Sequence, residues 1–282
     1  MQLLGVADLQ LANGATDRGQ GALGDLDRVR VGVDQVEPVE EFASGVLALK
    51  DVDLHVEANK PVFIQTEDGL GTLSAANFPL SRTFDEVMEA LAALYTEQHD
   101  FSTVVVDSVD WLEPLVWAKA CRDNGWNSIE DAGYGKGYVA ALNLWRQYID
   151  GLNALRDDRG MTVVQIAHTD IKRFDSPEHD PYDRYVIKLH ARAAALLQEH
   201  SDVVLFANYR ISTVKADVGF NKKVSRAVGS GERVIHTVER PAFLAKNRYD
   251  LPDTLPLEWS AFAQAMPETL HSTLIPSTTT RT

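Results

Sequence analysis

Hydrophobic and polar positions alternate along this chain in two different periods, and the middle of the chain switches between them repeatedly. Lys60–Glu67 (KPVFIQTE) is an apolar run closing on acid, and it predicts a strand. Thr83–His99 carries apolar residues at helical spacing, with Thr83 placed as N-cap and Glu86 completing a capping box. Val104-Val105-Val106-Asp107-Ser108 follows, three apolar β-branched residues in a row, as suits a strand buried on both faces. Helical patterns fill Leu112–Arg122 and Tyr138–Arg156, and Thr162–Thr169 (TVVQIAHT) predicts a third strand. Asp170–Tyr185 is polar, contains Pro177 and Pro181, and predicts a long loop of the kind that is functional or mobile. Val186–His200 predicts a helix and Asp202–Arg210 a fourth strand. Strands separated by helices imply an α/β fold, a mostly parallel sheet with helices on both faces. From about residue 211 the pattern becomes that of β-hairpins, and after Trp259–Met266 the tail is Ser/Thr-rich, which predicts disorder.

The first 59 residues read differently. They contain no Trp, Tyr or Ile, and they hold 11 acids against 4 basic residues, half of the chain's net charge of -14. Arg28–Val33 and Val52–Val56 alternate with period two, which predicts strands with one wet face, suited to a sheet edge. The chain therefore divides into an atypical segment at 1–59, either a true replacement or a stretch read from a wrong start or frame, a core at 60–266, and a tail at 267–282. A length of 282 residues allows a full α/β core. The acidity argues against a general nucleic-acid coat while leaving room for a local basic patch. Cys121 is the single cysteine, so no internal disulfide is possible and a reducing cytoplasm is expected. No apolar run approaches the ~18 residues of a membrane span.

An aspartate at the C-terminal end of a buried strand lies where open α/β sheets bind ligands. Taken with three further segments, Asp107 gains a specific meaning. FIQTEDG, VVVDS, VVQIAHT and AKNRY, in this order, resemble the phage-type ATPases with a RecA-like core that act in single-strand annealing and recombination. The resemblance implies a RecA-like sheet between about Lys60 and Phe262, ATP and Mg²⁺ as cofactors, and assembly into an oligomer on single-stranded DNA in a bacterial host's cytoplasm. It makes Glu67 the catalytic glutamate that polarises the attacking water. Asp107, with Ser108 beside it, becomes the magnesium-site strand end. His168 becomes the polar phosphate sensor. Lys246 and Arg248 become the pair inserted into a neighbouring subunit's ATP site, where a cation stabilises charge on the transferring phosphoryl group.

The same resemblance calls for a strand, a GxxxxGK[ST] loop and a helix before KPVFI. No such string occurs in the chain. The nearest decoys are Gly133–Tyr138 (GYGKGY), which lacks the Ser or Thr and reads as a structural turn, and Gly229–Arg233 (GSGER). The loop's charge-assisted hydrogen bonds contribute roughly 1.5–3 kcal/mol each. Losing three or four of them would weaken nucleotide binding by several powers of ten. The chain therefore reads as a recombination ATPase with an incomplete nucleotide site, or as a non-hydrolysing DNA- or protein-binding module on the same fold.

For DNA, Lys215, Lys222, Lys223 and Arg226 cluster between Arg210 and Arg233, with Tyr209 and Phe220 as rings for base stacking. A solvated hairpin is the plain alternative. The histidines show no spacing for a zinc site. Asp107, Asp110 and Glu113 recur every three residues, which by default is a solvated helix face. No G-x-S-x-G elbow or nucleophile triad supports an unrelated α/β hydrolase.

Overall fold

The computed structural model describes residues 2–7, 40–41, 47–48, 61–70, 75–178, 180–217, 223–268 and 270, with the side chains of 2–48, 211–217 and 223–230 left aside. In chain order the strands are β1 (Gln2–Ala7), β2 (Glu40–Glu41), β3 (Leu47–Ala48), β4 (Pro61–Gln65) and β5 (Ala76–Asn77). Helix α1 (Phe84–Thr96), β6 (Thr103–Asp107), α2 (Val109–Asn124), α3 (Lys136–Arg159) and β7 (Thr162–Phe174) follow. The rest is β8 (Tyr182–Ile187), α4 (Ala191–His200), β9 (Val203–Asp217), β10 (Lys223–His236), β11 (Lys246–Asn247), β12 (Thr254–Pro256) and α5 (Trp259–Ala265).

The main sheet runs β12-β10-β9-β1-β7-β6-β4-β5, with β11 on β9 and β8 on β7. The pairs from β9 across to β5 are parallel, and the C-terminal strands β10, β11 and β12 pair antiparallel. This is the expected α/β architecture, a mostly parallel sheet flanked by helices with antiparallel strands after it.

The sheet is buried from both sides because its strands alternate between two apolar clusters. Val204 of β9 belongs to the large cluster with Val62, Ile64, Val104, Val106 and Val163. Its neighbours Val203 and Leu205 belong to a second cluster with Ile235, Leu255 and Phe262. Helices α1 to α4 cover the first face, through residues such as Phe84, Leu91, Leu112, Trp145, Leu152 and Leu197. Helix α5 covers the second through Phe262 and Ala263. The capping box at α1 is present: Glu86 N–H donates to Thr83 Oγ1 at 3.2 Å, and Glu86 Oε2 accepts from Thr83 N–H at 3.3 Å.

Three expectations need correction. The N-terminal segment supplies more than edge strands. Gln2–Ala7 pairs in parallel with β7 on one side and β9 on the other, in the interior of the sheet. QLLGVA is a short apolar run without period two, the form of a strand buried on both faces. The strands expected at Arg28–Val33 and Val52–Val56 lie outside the described residues, as does the chain from 271.

The polar stretch Asp170–Tyr185 is mostly a hairpin. Strand β7 continues through Phe174 and pairs antiparallel with β8, from Thr169↔Ile187 to Phe174↔Tyr182. Ile171, Phe174, Tyr182, Tyr185 and Val186 carry the β-branched and aromatic signal. Charges between them masked it. Because β8 runs to Ile187, α4 starts at Ala191 rather than Val186.

The third correction concerns α2. Asp110 and Glu113 are 9% and 6% exposed, not on a solvated face. By contrast GYGKGY does form a turn leading into α3. A Cβ at Gly137 would lie 1.9 Å from the Ile129 carbonyl oxygen, so this glycine serves close packing of the backbone.

Candidate nucleotide site at the strand ends

Parallel strands end together, so side chains just past those ends gather on one rim of the sheet. Strand β4 pairs in register with β6, Gln65 opposite Asp107. Strand β6 pairs with β7, and β7 with β1, where Ala7 lies opposite His168. The rim thus carries, in order, Glu67, Asp107, His168 and Ala7 at the end of β1.

Thr66 fastens two of these ends. Its N–H donates to the Asp107 carbonyl at 2.8 Å, its hydroxyl donates to the Ser108 carbonyl at 2.6 Å, and the same oxygen accepts from Ser108 N–H at 2.8 Å. The Asp107–Ser108 peptide is cis. Gly69 then brings its backbone against the acid pair: a Cβ there would stand 3.0 Å from Asp107 Oδ2.

His168 lies beside two carboxylates. Its Nδ1 is 3.0 Å from Asp110 Oδ2 and 3.9 Å from Glu67 Oε1. Lys188 Nζ is 3.9 Å from Asp110 Oδ2. Burial pushes the Asp107 carboxyl above the usual carboxylate range, and the charge of Glu67 adds to this. His168 offsets part of that rise, while Asp110 adds to it. One helical turn on, both Glu113 oxygens accept from His190 N–H at 3.0 Å. Burial pushes Glu113 up to about 7 despite that bond.

The arrangement fits a magnesium nucleotide on its acidic side. A crowded carboxylate whose charge is disfavoured is relieved by a divalent cation. Ser108 Oγ, buried beside it, has no hydrogen-bond partner among the described residues. The described residues contain no group of three or more His, Cys, Asp or Glu able to hold a metal alone.

The remaining sequence candidates go elsewhere. Lys246 opens β11 and Arg248 follows it, and the β11 partners Val203 and Val204 begin β9, at the strand ends away from the rim. Lys246 Nζ donates to the carbonyls of Gln198 at 2.8 Å and Glu199 at 3.0 Å, the last turn of α4. Burial, with Arg248 nearby, holds this lysine below its ordinary value. Arg248 pairs with Asp202 at 3.0 Å. Within the chain Lys246 thus engages the end of α4 and Arg248 engages Asp202 just after it. Lys215 lies in β9, and Lys223 and Arg226 in β10, in a register that sets Lys215 opposite Ser225, Asp217 opposite Lys223 and Val214 opposite Arg226. Lys222 lies outside the described residues.

Sequence reasoning missed Asp110 and Glu113 as parts of the site. Their i, i+3 spacing after Asp107 was the available signal, since it sets them on one side of α2.

A family model for an AAA domain, AAA_24, matches residues 53–249, well over half of the chain, and the chain belongs to this family. The match takes in β4, β6, β7 and the rim residues and excludes β1. Among solved structures, a crystal structure of the RadB recombinase is similar at 16% identity with a TM-score of 0.33, covering 66% of this chain and 73% of that one. At that level the likeness carries no weight for function. No curated protein matches the chain. No helix among the described residues is long and apolar enough to cross a membrane.

Proposed function

We propose that this AAA-domain chain is an ATP-handling protein of phage recombination, acting on single-stranded DNA as a homo-oligomer in a bacterial host's cytoplasm. The observation that carries this reading is the gathering of Glu67, Asp107 and His168 on one rim of a parallel sheet whose next strand is β1. Bound Mg²⁺ would neutralise charge on the phosphates. Asp107 would hold it with Ser108 beside it, Glu67 would orient the attacking water, and His168 would contact the terminal phosphate. Lys215, Lys222, Lys223 and Arg226 would give the β9–β10 hairpin its contact with the DNA backbone. Lys246 and Arg248 would serve a neighbouring subunit only after releasing Gln198, Glu199 and Asp202. An ATP-dependent mobility shift of single-stranded DNA at low salt tests the whole reading. A monomer that never shifts DNA, with or without ATP, would overturn it.

A second reading is favoured by the missing GxxxxGK[ST] string. On it, the fold and hairpin persist as a binding module without hydrolysis. DNA would then shift equally well without nucleotide.

A further inference from the structure

We infer that Asp110 is the positioning residue of the rim: it fixes His168 in the tautomer that carries its proton on Nδ1, so that Nε2 is the nitrogen offered to a ligand. This inference rests on the nucleotide-site reading above only for what that ligand is.

The geometry is closed on three sides. Asp110 sits in the first turn of α2, and its side chain is only 2% exposed. Its Oδ1 accepts from the His168 backbone N–H at 3.0 Å. Its two oxygens lie 3.1 and 3.0 Å from His168 Nδ1. A carboxylate can only accept, so Nδ1 must be the donor. Gripping backbone and ring at once leaves the imidazole little freedom to turn. The backbone is held from its other side too, because the His168 carbonyl accepts from Lys188 N–H at 3.0 Å. Among the described residues no hydrogen bond reaches Nε2, while Nδ1 is engaged by Asp110. Glu67 Oε1, at 3.9 Å from Nδ1, is too distant to compete for that proton.

The placement has a local cause. Asp110 follows Asp107 by three residues, across the turn from strand to helix, so the chain that delivers the magnesium-site candidate also delivers the carboxylate behind the sensor. A carboxylate in a helix's first turn is favoured by the backbone dipole. Glu113, a further three residues on, grips the His190 backbone in the same way. One side of α2 thus holds both β7, at His168, and the start of α4.

In its neutral form, a ring of this tautomer offers a lone pair at Nε2, suited to a water or a metal-bound water. Once protonated it offers an N–H, suited to a phosphate oxygen. The other neutral tautomer would offer an N–H at Nε2 without gaining a proton. Asp110 therefore links what His168 can recognise to whether it carries a second proton.

Long-range ¹H–¹⁵N correlation on the full chain, with the His168 ring assigned from His168→Ala, reads the tautomer directly. The wild-type ring at alkaline pH should be in the Nδ1–H form. In Asp110→Asn, with the amide oxygen kept on the His168 backbone N–H, the NH₂ takes the place of Oδ2 beside Nδ1, where it can only donate and so favours the Nε2–H form. The expected result is a majority Nδ1–H in wild type and a shift toward Nε2–H in the variant. A wild-type ring already in the Nε2–H form overturns the inference, even if the variant fails to fold. An unchanged tautomer in a folded variant overturns it as well. If the wild type hydrolyses ATP, Asp110→Asn should lower kcat by tenfold or more while KM stays within about twofold. Unchanged kcat would refute the positioning role. If the wild type does not hydrolyse ATP, the ATPase reading falls while the ring measurement still decides the role of Asp110.

Discussion

The two ends of the sheet had the same standing in the sequence and fare differently in the fold. At the C-terminal rim, Glu67, Asp107 and His168 arrive from three neighbouring strands and meet, backed by Asp110 and Lys188. At the opposite strand ends, Lys246 and Arg248 turn inward to the end of α4 and to Asp202. The difference lies in what the surroundings leave unsatisfied. Among the described residues the rim collects more carboxylates than cations, and burial together with the charge of Glu67 raises Asp107. The far end pairs its cations with carbonyls at a helix C-terminus, the partners such cations ordinarily take. An unbalanced group of charges points toward a ligand, and a balanced one toward the protein's own stability.

This contrast can be broken by substitution. Asp110→Ala should cost the most, about 2–3 kcal/mol in urea unfolding, because it strips the acceptor from two half-buried His168 donors. A loss below about 0.5 kcal/mol would mean that the rim is not one network.

Glu113 should show itself through pH. Its carboxyl titrates at about 7 in the fold and at its ordinary 4.5 when unfolded, so the native state binds the extra proton between those values. Stability from this group is present below about 4.5 and is lost as pH rises through about 7. Glu113→Gln should flatten that decline, by at most roughly 3 kcal/mol across the window. Parallel stability profiles for the two proteins would contradict the burial cause.

At the far end, Lys246→Ala should cost about 1–2 kcal/mol through the freed α4 carbonyls, and the half-exposed Arg248→Ala about 1 kcal/mol or less. If both leave the Tm unchanged, the pair is not engaged with α4. Thr83→Ala, remote from both ends, should cost about 1 kcal/mol and sets the scale for a single capping bond.

What was legible in the sequence follows the same division. Strands β4, β6 and β7, helix α1 with its capping box, and the order of rim residues could be read because burial and local bonding leave strong patterns. Strand β1 was missed because six residues carry too little pattern and Gly5 interrupts the apolar run. The β7–β8 hairpin was missed because charged residues and two prolines outweighed its alternation. Asp110 and Glu113 were read as solvated because a helix's acids usually are. Only the strands packed beside α2 show that these two are not.

The central claim is that Glu67, Asp107 and His168 form one pocket for a magnesium nucleotide, weakened by its missing loop. Calorimetric titration of the full chain with ATP·Mg, beside the same titration of Asp107→Asn, tests it most directly. The account predicts weak binding, in the millimolar range, that the substitution abolishes. No heat from the wild type, or equal heats from both proteins, would contradict it.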